Sequence, residues 1–125
     1  MDMLITFRFG LHNDSGVEDF LACTNEDAVI RTAREQLARP VAERNLFITG
    51  LIQRAPKGAN LAWRWRHVDS TWKLVKTSIE LCDATPSQAE QHLDAWEGRQ
   101  FCPWRFCVRS EELAVAGLAV TAEAQ

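Results

Sequence analysis

Met3, Ile5, Phe7 and Phe9 alternate with Leu4, Thr6 and Arg8, the period-two pattern of a half-buried strand, so the chain opens in a sheet. A polar loop follows (His12-Asn13-Asp14-Ser15-Gly16). Thr24 or Asn25 can cap a helix whose first turn carries Glu26 and Asp27. Val29, Ala33 and Leu37 recur at a spacing of four and Pro40 ends the run, which predicts a helix over 25–38. The β-rich stretch 46–53 ends at the turn-forming Ala55-Pro56-Lys57-Gly58-Ala59-Asn60, and a hairpin into 62–68 is the natural continuation. Asp69-Ser70-Thr71 makes another turn into 72–82, where Val75, Thr77, Ile79 and Leu81 alternate with Lys76, Ser78, Glu80 and Cys82.

Thr85-Pro86-Ser87-Gln88 reads as a capping box with proline at the first helical position, and Gly98 is the stop signal of that second helix. Ala89, Leu93 and Trp96 form its apolar stripe. Phe101 to Arg109 supplies a final strand, with Pro103 confining it to an edge or to its start. The expected order is β-α-β-β-β-α-β: an α+β fold with one antiparallel sheet of about five strands. Two helices are expected on one face of that sheet. Residues 1–112 then make a single domain and the alanine-rich 113–125 a tail.

At 125 residues the chain is long enough for one core without metal or disulfide staples. Apolar residues at 46% and charged residues at 25% place it with ordinary globular domains, and a net charge of -3 gives no overall basic footprint for nucleic acid. No stretch approaches the ~18 apolar residues that would span a bilayer. The amino terminus lacks the basic region of a secretory signal, so the expectation is a soluble cytoplasmic protein, or a secreted one if a leader has been cleaved away.

The most informative stretch is Trp63, Trp65 and His67, which alternate and so share one face of a strand, a large partly polar surface that reads more like a site than a core. His67 could serve as general acid or base, and the blander reading is a strand-end hydrogen-bonding residue. His12, His67 and His92 have no metal-site spacing, nor do Cys102 and Cys107, so no metal and no cofactor is expected. Cys82 and Cys102 are candidate nucleophiles, against the alternative of buried thiols or a disulfide. Glu80 and Asp83 can be read as paired carboxylates, or more simply as an ion-pair partner of Arg64 and Arg66 and as a turn residue. Arg54, Lys57, Arg64, Arg66, Lys73 and Lys76 with interleaved tryptophans suggest single-stranded nucleic acid, but Arg64 and Arg66 point away from the Trp63–Trp65 face.

The run from Leu46 to Arg109 contains Ile48-Thr49-Gly50, Trp63-Arg64-Trp65-Arg66-His67, Ile79-Glu80-Leu81-Cys82-Asp83, Glu90 to Trp96 and Phe101-Cys102-Pro103-Trp104. With the upstream helix it resembles a family of small bacterial and fungal domains related to the amino-terminal domain of a calmodulin-binding protein. The resemblance implies no particular activity. It implies a secreted setting for many members, and with it a disulfide between Cys82 and Cys102; Cys23 and Cys107 lie outside the pattern.

The sequence therefore points to a small binding module, with Trp63, Trp65, His67 and Trp104 as an aromatic pocket or recognition surface for a small molecule or protein. The alternative is a small cofactor-independent enzyme using His67 with Glu80, Asp83 or Cys82. A third reading makes Trp63, Trp65 and Trp72 plain core. Monomer and homodimer are both open.

Overall fold

The computed structural model describes residues 3–12, 16–76 and 82–112. The opening strand β1 (Ile5–Leu11) buries Phe7 and Phe9 as the alternation requires. It pairs antiparallel with β2 (Phe20–Thr24), placing Phe7 opposite Ala22 and Phe9 opposite Phe20. On its other edge it pairs with β7 (Phe106–Glu112), with a register shift between Arg8 and Phe9. The order of this sheet is β2-β1-β7. Strand β2 escapes an alternation search because four of its five residues are buried.

Between the sheets in sequence comes α1 (Asp27–Leu37), within the span expected of it. Its amino-terminal cap carries no side-chain bond, and the Thr24 hydroxyl instead accepts from the Glu26 amide, 3.0 Å. The helix packs against both β7 and β5 (Lys73–Val75), so it bridges the two sheets. A 3-10 turn at Val41–Glu43 leads out of it. There Arg44 donates to the carbonyls of Leu37, Arg39 and Val108, tying the helix end to the edge of β7.

The second sheet is organised on β3 (Phe47–Arg54), which pairs β5 along Phe47–Thr49, β6 (Gln100–Phe101) at Gly50–Leu51, and β4 (Trp65–His67) along Ile52–Arg54. Gly50 is required there. A Cβ would stand 2.7 Å from the Trp72 Cβ and 2.8 Å from its Cα, well inside contact distance.

The fold is thus mixed α and β with antiparallel sheets, as expected, but with two sheets of three and four strands rather than one of about five. The expected strand 101–109 is the reason. It is two strands, β6 joining β3 and β7 joining β1, because Pro103 has no amide for a ladder and the chain turns there, the Phe106 amide donating to the Pro103 carbonyl at 3.1 Å. The second helix likewise divides into α2 (Pro86–Gln91) and α3 (Leu93–Trp96) at His92, whose φ of -131° and ψ of 46° leave helical geometry. Its capping box is present, Thr85 Oγ1 accepting from Gln88 and Gln88 Oε1 accepting from the Thr85 amide. Of the expected strand 72–82, Lys73–Val75 is observed; residues 77–81 and the tail 113–125 lie outside the described residues.

Candidate functional site

Strand period does bring Trp63, Trp65 and His67 together. The two indoles stack at 6.2 Å and the Trp65 and His67 rings meet edge-on at 6.1 Å. Their shared face is turned inward rather than to solvent, however. Trp65 and His67 are fully buried and Trp63 nearly so, because Phe20 from β2 and Phe101 from β6 close over them. Phe20 is the hub, with ring contacts also to Phe9 and Phe106 across the first sheet.

The polar tips of this face bind backbone. Trp63 Nε1 donates to the Asp19 carbonyl and Trp72 Nε1 to the Cys23 carbonyl, each at 2.7 Å. Both acceptors flank or lie on β2, so the tryptophans of one sheet satisfy the other's edge. Asn60 does the same in both directions. Its Oδ1 accepts from the Leu21 amide and its Nδ2 donates to the Trp65 carbonyl, both at 2.6 Å.

His67 Nε2 lies 3.1 Å from the Phe101 carbonyl oxygen, and burial pulls the imidazole pKa from 6.5 down to about 4, against the raising effect of that bond. A neutral, enclosed imidazole bonded to backbone has the geometry of a structural residue. Asp83 is exposed and turned elsewhere, its Oδ1 accepting from the Trp104 amide at 3.0 Å. Glu80, the other carboxylate candidate, lies outside the described residues. Arg64 and Arg66 pair with Glu90 and Asp69 at 2.7 and 3.0 Å.

Those pairs also change the picture of the basic stretch. Arg54 is held by Asp94 and Glu97, so the three arginines of this region face carboxylates while Trp63, Trp65 and Trp72 are inside. Charge and stacking surface are not offered together, as holding a single strand requires. Cys82 and Cys102 are joined by a disulfide, Cα to Cα 5.2 Å, with the Cys102 amide donating to the Cys82 carbonyl at 2.9 Å. Cys23 and Cys107 are buried free thiols, and burial raises the pKa of both, away from the thiolate. Among the described residues no three His, Cys, Asp or Glu side chains come together as metal ligands. No helix among them is long and apolar enough to cross a membrane.

Trp104 stands apart from the other candidates. It is half-buried, packed edge-on against Phe47 at 5.4 Å, and it lines a recess of about 270 Å³. Leu11, Ala84 and Phe106 supply apolar wall; Glu18, Asp83, Thr85, Gln88 and Arg105 supply polar groups. Each half of the disulfide neighbours one wall. Cys82 precedes Asp83, and Cys102 lies two residues before Trp104, so the bond and the Asp83–Trp104 hydrogen bond hold the two segments as one unit.

A family model for the N-terminal domain of a calmodulin-binding protein matches residues 5–114, nearly the whole chain. The chain belongs to that N-terminal domain family. The match runs from the first residue of β1 to just beyond β7, so both sheets and the disulfide-tied recess are family structure. No curated protein and no solved structure matches the chain. Sequence reasoning missed Asn60, Phe20 and the recess residues Glu18 and Gln88. Asn60 sits in a stretch whose turn composition already accounts for it, and the others become neighbours only through pairing distant in sequence.

Proposed function

We propose that this domain is a small interaction module and that its recognition surface is the Trp104 recess. The observation that carries the reading is the contrast among the aromatic candidates. Trp63, Trp65 and His67 are spent on the core, whereas Trp104 lines an open cavity with Asp83 fixed beside it by a backbone bond. An indole with a fixed polar neighbour offers contact area at low entropic cost, the usual make-up of a binding anchor. Membership in a family named for a calmodulin-binding protein supports a protein as the partner. In this reading the Trp63–Trp65–His67 stack supports the recess from behind by fixing the two sheets.

The test is native mass spectrometry of the protein captured with its bound species, repeated on Trp104→Ala. A partner retained by the native chain and lost from a variant with an unchanged melting temperature is the expected result. Equal retention by both would remove Trp104 from recognition and overturn the proposal.

A further inference from the structure

The recess is unevenly equipped for ligands of different charge. Two carboxylates line it, and each is held in place by a backbone amide. Asp83 Oδ1 accepts from Trp104, and Glu18 Oε1 accepts from Ser87 at 3.1 Å, on the first turn of α2. Each therefore keeps a second oxygen for another donor. Arg105, the one basic residue of the lining, is exposed. Trp104 brings the aromatic ring type that attracts cations best, and Leu11, Ala84 and Phe106 bring apolar wall.

We infer that this recess holds the lysine or arginine side chain of a partner protein, an inference that rests on the recess being the recognition site. The match is one of two kinds of surface. A long basic side chain has an aliphatic stem that packs on apolar and aromatic wall, and a charged head that bonds carboxylates with charge assistance. An acidic side chain would meet Glu18 and Asp83 as like charges. A purely apolar one would strip water from the two remaining carboxylate oxygens and give nothing back. Because both carboxylates are already anchored, little rotamer freedom remains to be lost when the cation arrives.

The test is an NMR titration of the oxidised full chain with four capped pentapeptides, glycine throughout except for a central lysine, arginine, leucine or glutamate. The lysine and arginine peptides should shift the Trp104 indole resonance and the Asp83 and Gln88 amides saturably, and the other two should bind at least about ten-fold more weakly. Asp83→Asn with Glu18→Gln keeps both acceptor oxygens for their backbone amides and removes the charge; it should weaken the basic peptides about ten-fold. Asp27→Asn with Glu35→Gln, an equal charge change on the exposed face of α1, should leave them unchanged.

Comparable binding of the leucine or glutamate peptide at the same resonances would overturn the cationic class and leave the recess standing. Saturable shifts that map elsewhere and survive Trp104→Ala would overturn the recess itself. Equal weakening by the α1 pair would show general charge attraction and overturn the inference, as would no saturable shift with either basic peptide.

Discussion

His67 donates its Nε2–H to the Phe101 carbonyl oxygen, 3.1 Å away, and this one bond settles the tautomer of a fully buried imidazole. A carbonyl can only accept, so the proton is on Nε2 and Nδ1 presents a lone pair that meets no donor among the described residues. Strand β4 is thereby tied to β6 by side chain where β3 already ties them by backbone.

Acid should therefore weaken the fold through this residue. The folded pKa, about 4, lies below the ordinary 6.5, so the unfolded chain binds the proton first. The stability that His67 confers by staying neutral is complete above pH 6.5 and is lost as pH falls towards about 4. At 1.36 kcal/mol per pH unit the loss is about 3 kcal/mol. Urea denaturation of the native chain and of His67→Phe at several pH values checks it. The difference between the two should shift by about that amount across this window, on top of a constant offset for the unpaired Phe101 carbonyl. A difference that stays flat with pH would refute it.

How much of this was legible in the sequence depends on the range of the interaction. Alternation placed Trp63, Trp65 and His67 on one face, and the ring contacts between them bear that out. Alternation says nothing of what covers a face, and the cover here is Phe20 and Phe101, each more than thirty residues distant. The capping box at Thr85 was legible because both partners lie within four residues. The division into two sheets was not. Pro103 signalled a break in pairing, but only the register of β7 against β1 shows that the chain changes sheets there. The recess was half legible: Trp104 and Asp83 were singled out separately, and nothing local joins them to Glu18 and Gln88.

Truncating the aromatic residues should separate core from surface. Trp65→Ala opens a cavity among Phe20, His67 and Phe101 and should cost roughly 3–5 kcal/mol. Trp104→Ala, at a half-buried position against Phe47 alone, should cost less, on the order of 1–2 kcal/mol. Denaturation midpoints of the two variants check the order. A costlier Trp104 truncation would make that residue core as well.

Asn60 should be harder to replace than its place in a turn suggests. Its amide serves the Leu21 N–H and the Trp65 carbonyl at once, and the side chain is fully buried. Asn60→Ala leaves both backbone groups without a partner, at about 1–3 kcal/mol each. Asn60→Asp keeps the acceptor for Leu21 but offers the Trp65 carbonyl an oxygen in place of a donor, so a buried carboxylate faces a carbonyl dipole. Both variants should be strongly destabilised, with the aspartate recovering as pH falls and its carboxyl becomes a donor. Melting curves at pH 7 and 4.5 distinguish this from simple loss of a turn residue, which would show no recovery.

The Cys82–Cys102 disulfide closes a loop with a sequence separation of 20 that contains α2, α3 and β6. In the chain-entropy account such a loop contributes about 3 kcal/mol by restricting the unfolded chain, and Cys82→Ala with Cys102→Ala should lose about that much. Both sulfur-bearing residues are 1% exposed, so a thiol reductant has no path to the bond in the folded protein. Reduction by dithiothreitol should then wait on opening of the 82–85 and 102–106 segments, at a rate that saturates with reductant and rises with urea. Mass spectrometry of quenched samples follows it directly, each reduced molecule gaining two protons. Fast reduction, first order in dithiothreitol and insensitive to urea, would mean that these segments open freely in solution. The Asp83–Trp104 bond would then be too weak a clasp to hold the recess in shape between ligands.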